Sequence, residues 1–396
     1  MNSETPRLPT PKRLAFYGVA TVSVWIFACC FQMHRGFWLI GQSGKPLSSN
    51  FLCFWAAGKV ALAGHPLSAY DPLAIAKIVP GVYVLPWYYP PVFLLAAAAL
   101  ALLPYLWSCA AWLLVSGLAY AAALRAILPY RVTPLLAFAA PTALFNVIES
   151  ETGFAVAALT GAALVLLETR PIMAGIALGL LTFKPQLGLL FPFILIVSGR
   201  WRCFASAVVT TILLAGMATM LFGTGVWMAF LQSEISMRSN DLYASHIGRS
   251  HIQTWYALAS FLNAPPFATW MVYALTAGGS GVAICWLWRR RVSYNFTAAA
   301  AAVGTLLVTP YFMAYDLGAL TVAIAFLIRE SISTGFRRGD YEFYALVLLS
   351  PLYQLFVSGV MPLMPLVDLL VLGWILRRAG QRETAELPND NVKSMG

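Results

Sequence analysis

Four carboxylates and one lysine stand at the ends of or inside apolar runs of this chain: Glu149, Glu151, Asp316, Asp368 and Lys184. A charge beside hydrocarbon is costly, so each is a functional candidate by default. Glu149 and Glu151 flank Ser150. Either could act as a general base, or could serve the start of the next helix, where negative charge is favoured, and Glu151 lies closer to that start at Gly153. Lys184 precedes Pro185 at a helix break and is either a phosphate or pyrophosphate contact or a side chain reaching for the interface. Asp316 follows Tyr311 and Tyr315, polar aromatic residues that suit a sugar or a lipid head group.

Two polar loops add further candidates. The first, 48–71, carries Asn50, Lys59, His65 and Asp71, with Tyr89 beyond it. Asp71 precedes Pro72, a pair that commonly initiates turns. The second, 232–254, holds Arg238, Arg249, His251 and Gln253. Its arginines could clamp a substrate phosphate, and the plainer reading is a solvated loop closing over a cavity. His246 and His251, five apart without an HExxH frame, do not indicate a metal site, and none is expected.

The elements that must position these groups are membrane helices. Of the 396 residues 60% are hydrophobic and 10% charged, with a mean hydropathy of +0.76, against roughly 25% charged in soluble domains. The apolar runs are continuous rather than alternating, as helices spanning lipid require. The fold class is therefore an all-α polytopic membrane protein with about a dozen apolar runs. The net charge of +10 is spread over short basic clusters between those runs, such as Arg200 with Arg202, Arg289 to Arg291, and Arg377 with Arg378. That is the positive-inside pattern and marks cytoplasmic loops, which argues against nucleic acid as the partner. Six cysteines show no pairing rhythm and read as small core residues.

Along the chain, 1–13 reads as a polar cytoplasmic arm, 14–378 as the membrane domain and 379–396 as a cytoplasmic tail. Residues 35–89 form a first extracytoplasmic loop containing an interfacial amphipathic helix at 51–63, and 223–266 form a second. Counting from the C-terminal end puts 223–266 and 309–316 on the side of the first loop. The run 172–197 is either one kinked span or two short ones broken at Lys184. No internal repeat is visible, which disfavours a transporter built from inverted repeats.

The stretch NFLCFWAAG at 50–58 is followed in order by LAG at 62–64, YDP at 70–72, YPP at 89–91 and LPY at 103–105. Then come AG at 174–175, KP at 184–185, GRWR at 199–202, TPY at 309–311 and YD at 315–316. In this order they resemble glycosyltransferase family 87, polyprenyl-phosphate-sugar-dependent membrane enzymes that include mannosyltransferases. The resemblance implies a GT-C-type bundle of about 10–13 transmembrane helices with a large extracytoplasmic first loop. It implies an inverting transfer of a hexose or pentose, mannose-like by analogy, from a polyprenyl-phosphate donor to a lipid or glycan acceptor. The location implied is the bacterial inner membrane, with the active site facing the periplasm or exterior and no cofactor.

Two departures stand out. Where the family typically has Asp before Phe51 this chain has Asn50, which cannot be a general base. Where relatives often carry an amide turn before the mid-chain helix, this chain has Glu149, Ser150 and Glu151. The candidate bases are therefore Asp71 and, by relocation, Glu149, with Asn50 as a sugar contact and Gln253 as an acceptor-side contact. The alternative is a catalytically weakened relative that binds or translocates a lipid-linked substrate.

Overall fold

The computed structural model describes residues 10–47, 49–239, 251–356 and 361–386. Among these the chain is helical apart from a ribbon pairing Phe37–Trp38 with Ile40–Gly41. Prolines open many of the helices, including Pro91–Leu100, Pro141–Glu149 and Pro171–Leu180, because the first turn needs no N–H from them. Five described helices are long and apolar enough to cross a membrane: Pro11–His34, Tyr105–Ile127, Trp201–Phe222, Pro266–Arg289 and Ala314–Thr334. Six shorter apolar helices accompany them. The chain is a multi-pass membrane protein; against the 10–13 spans expected, five described helices have the length and apolarity to cross, and proline and polar breaks keep the six others short.

The run 172–197 forms two short helical segments, Pro171–Phe183 and Pro185–Val197, rather than one kinked span. They turn back on each other. Arg200, just after the second, bonds Glu168, just before the first, at 3.1 Å. Gly175 and Gly179 meanwhile lie against Ser206 and Thr210 of Trp201–Phe222, so that helix runs parallel to the first arm. The hairpin tip is Lys184, and thirteen residues at about 1.5 Å each lift it some 20 Å from its base.

Contacts sort the loops to two ends of the bundle. At one end Glu168 meets Arg200, Asn295 meets Glu330, and Arg378 meets Asp340. At the other, Trp38 Nε1 donates to the Ile148 carbonyl, Tyr70 stacks edge-on against Phe230, and the Gln253 N–H donates to the Phe312 carbonyl. The first loop, the start of the second and the 309–316 junction thus share the end opposite the basic clusters.

One expectation changes. The segment 51–63 does form a helix, Asn50–Leu62, yet it is buried on nearly every face rather than having one apolar and one exposed face. Phe51, Phe54 and Val60 make it the centre of a second apolar core with Trp87 and Phe93, and Gly58 lets the backbone of Pro91–Leu100 approach. The first helix, Pro11–His34, begins within 1–13, and the last, Met364–Glu386, runs on past residue 378.

The main core is centred on Tyr294–Val308 and Gly318–Thr334, whose alanines and glycines let neighbouring helices come close. The tightest approach is at Gly153, where an added Cβ would sit 1.9 Å from the Tyr315 carbonyl oxygen. Because that obstacle is backbone, Gly153→Ala is expected to destabilise the protein by about 1–3 kcal/mol or more. The measurement is thermal unfolding in detergent, with Gly216→Ala, which meets nothing within 4 Å, as the control.

Candidate active site

Five segments far apart in sequence converge at the loop end opposite the basic clusters: Asn50, Tyr89, the turn 149–153, Lys184 and the stretch 309–316. The turn organises them. Pro141–Glu149 ends on Ser150 in the left-handed region (φ 50°), and Gly153–Leu166 starts immediately after. Asn146 bridges this junction and the 315 strand of chain: its Oδ1 accepts from Phe154 N at 2.8 Å, and its Nδ2 donates to the Tyr315 carbonyl at 2.8 Å. One buried amide therefore caps a helix and pins the segment carrying Asp316.

Below the turn lies a buried ion pair. Lys184 Nζ donates to Asp316 Oδ1 at 2.8 Å and Oδ2 at 2.9 Å, and to Thr152 Oγ1 at 3.3 Å. It also lies 4.6 Å from the centre of the Tyr315 ring. Lys184 is 3% exposed and Asp316 0%. All three ammonium protons have acceptors, so a phosphate contact by this lysine requires exchange of one of them. The helix break at Pro185 is what frees the lysine to turn inward.

Above the pair sits Glu151, also buried. Its Oε2 accepts from Tyr89 OH at 2.8 Å, Thr152 N at 2.8 Å and Thr152 Oγ1 at 3.1 Å. Burial raises its carboxyl above the usual range, while the Lys184 ammonium, the Tyr89 hydroxyl and the Thr152 N–H pull it back toward ionisation. An aromatic box fixes its neighbours: Tyr89 packs against Phe54 and Phe93, and Trp112 Nε1 donates to the Glu151 carbonyl at 3.0 Å.

Glu149 differs from both. It is open to solvent on one side and crowded by protein elsewhere, and its Oε2 accepts from Asn50 Nδ2 at 3.1 Å. Burial first, and then the neighbouring Glu151 charge, push its carboxyl up to about 7. Asn50 is the first residue of Asn50–Leu62, whose cap is Ser49: Oγ accepts from Leu52 N and lies 3.2 Å from Tyr105 OH. A carboxylate in that position can take a proton near neutral pH and remain within reach of solvent-borne groups.

The other candidates lie apart from these contacts. Asp71 is exposed and caps Pro72–Ala76, its Oδ1 accepting from Leu73 N at 2.9 Å. His65 is exposed before the turn Pro66–Tyr70, and the Lys59 ammonium lies 5.0 Å from the Trp55 ring centre. Gln253 is buried and supports the 309–316 stretch: its N–H donates to the Phe312 carbonyl at 2.9 Å and its Oε1 accepts from Tyr353 OH at 2.8 Å. His251 is exposed beside it, and Tyr311 is half-buried next to Phe312. Arg238 lies in the last turn of the helix Gly225–Ser239, its side chain outside the described part, and Arg249 lies outside the described residues. Among the described residues no group of three or more His, Cys, Asp or Glu gathers as a metal site would require.

Residues 87–310, more than half of the chain, match the family model of glycosyltransferase family 87. The chain belongs to glycosyltransferase family 87. Membership makes it a membrane glycosyltransferase of the GT-C type, a class that draws on a polyprenyl-phosphate-linked sugar. No curated protein and no solved structure matches the chain. The matched span holds Tyr89, both glutamates, Lys184 and Gln253, while Asn50, Asp71, Tyr315 and Asp316 lie outside it. In this family-87 chain the residues missed by sequence reasoning are Asn146, Thr152 and Tyr353. Asn146 had a signal, a lone amide inside the apolar run 133–148.

Removing one partner of a buried ion pair leaves the other charge uncompensated. Lys184→Met is therefore expected to cost about 3–5 kcal/mol of apparent stability, and Lys184→Met with Asp316→Leu to recover a large part of it. Thermal unfolding of the detergent-solubilised variants measures both.

Proposed function

We propose that this protein is an inverting glycosyltransferase in which Glu149 is the general base. A hexose or pentose, mannose on the family analogy, passes from a polyprenyl-phosphate donor to a lipid or glycan acceptor. The acceptor hydroxyl gives its proton to Glu149 as its oxygen bonds the anomeric carbon. The bond from that carbon to the phosphate oxygen breaks, and its electron pair leaves with the polyprenyl phosphate. The apolar helices suit the polyprenyl chain, the positive-inside pattern of the opposite loops favours an extracytoplasmic site, and a bacterial plasma membrane is the location the family resemblance implies.

The observation that carries this reading is the contact between Asn50 and Glu149. Position 50, where the resemblance leads one to expect the acid, is an amide, and that amide donates to a carboxylate in the turn where an amide is expected. On this reading acid and amide have changed places across one hydrogen bond. Glu151 and Asp316 are buried, Asp316 is held by Lys184 and Glu151 by three donors on Oε2, and Asp71 caps its own helix, while Glu149 is the carboxylate of the group exposed to an incoming hydroxyl.

The second reading, a weakened relative that binds or translocates a lipid-linked substrate, rests on Asn50. A transfer assay in lipid with radiolabelled polyprenyl-phosphate mannose, glucose and arabinose separates the two. Glu149→Gln is expected to lower turnover by about 10²–10⁴-fold, and Asp71→Asn to leave it near wild type. Binding of donor without turnover in the wild type favours the second reading. A base with a carboxyl at about 7 works only when deprotonated. The wild-type rate should therefore rise about tenfold per pH unit below 7 and level off above it.

A further inference from the structure

Glu149 and Glu151 lie two residues apart around one left-handed serine, yet their surroundings are opposite. Glu151 presents one oxygen to three donors, a load that suits a charged carboxylate oxygen rather than a protonated one. Those donors are held in turn: Lys184 donates to the Thr152 hydroxyl and Asp316 anchors Lys184. Glu149 has one amide donor and an open side. Environments that push two neighbouring carboxyls apart assign their roles.

We propose that the pair divides its work, with Glu151 kept as a fixed anion whose charge makes Glu149 the carboxyl that carries the proton in each turnover. Glu151 is thus a positioning residue acting through Glu149, and the Lys184–Asp316 pair serves to hold it in place rather than to meet the donor phosphate. The inference rests on the reading of Glu149 as base. The groups facing the turn are consistent with it: Asn50 and Cys53 on one helix, Tyr89 on the loop before Pro91–Leu100, Cys109 on Tyr105–Ile127, and Lys184 and Asp316 beneath. Lys184 is the one cation among these, and Asp316 offsets it. The Glu151 charge consequently reaches Glu149 with little local compensation, and it adds to the burial that already lifts Glu149.

The test needs no substrate. Dicyclohexylcarbodiimide, an apolar reagent that adds to protonated carboxyls, is applied to the intact protein in detergent between pH 5 and 9. Mass spectrometry then locates the adduct by residue. In the wild type Glu149 is expected to be labelled with a midpoint near pH 7, and Glu151 to be spared from pH 6 to 8. Adduct on Glu151 with Glu149 spared overturns the proposal without any variant. Glu151→Gln keeps the shape and removes the charge, and should move the Glu149 midpoint down by about one pH unit, so labelling at pH 7 falls several-fold. Glu151→Asp keeps the charge and changes the shape, and should leave the midpoint near wild type. A midpoint unchanged in Glu151→Gln, or moved equally by both substitutions, contradicts the proposal. The base reading fails separately, if Glu149→Gln retains turnover whatever the labelling midpoint does.

Discussion

A lysine ammonium buried at the tip of a helical hairpin is the constraint from which the rest of the site follows. Lys184 is 3% exposed and some 20 Å of helix from the basic end of the bundle, where a lysine would find water. It is tolerable only because Asp316 meets it with both oxygens and Thr152 takes the remaining proton. Satisfying that one charge ties the hairpin tip to the turn 149–153 and to the 309–316 stretch. The three segments could not part without stranding a charge in the apolar interior.

Packing completes what the ion pair begins. Gly153 admits the Tyr315 carbonyl to within a distance no side chain allows, and Asn146 bonds both the helix start at Phe154 and that same carbonyl. The aromatic box of Phe54, Phe93 and Trp112 then sets Tyr89 and the Glu151 backbone. The outcome is a graded row of acids: Asp316 neutralised by a lysine, Glu151 engaged by three neutral donors, and Glu149 open on one side with a single amide partner. The proposed transfer calls for one carboxyl that exchanges a proton near neutral pH, and the gradient leaves Glu149 as the group suited to it.

Much of this was legible in the sequence because charge is scarce there. In a chain with 10% charged residues, each acid or base at the end of an apolar run stands out, and Glu149, Glu151, Lys184 and Asp316 were all visible on that ground. Asp71 before Pro72 was legible as a turn residue for the same local reason that makes it a helix cap. What could not be read is what depends on distant partners. The helix Asn50–Leu62 has the period of an amphipathic surface helix, and only the arrival of Trp87 and Phe93 buries its remaining faces. The run 172–197 is long enough for one span, and nothing local says that its ends meet through Glu168 and Arg200. Asn146 looked incidental because the carbonyl it serves is 169 residues away.

The proposed exchange of acid and amide between positions 50 and 149 is the centre of the account, and a swap tests it most directly. Transfer from polyprenyl-phosphate mannose, glucose and arabinose would be compared in wild type, Glu149→Gln, and Asn50→Asp combined with Glu149→Gln. Returning the carboxylate to position 50, with an amide facing it across the 3.1 Å contact, should restore turnover that the single substitution removes. A doubly substituted protein as inactive as Glu149→Gln, though folded and membrane-inserted, would contradict the claim that the two positions share one catalytic carboxylate.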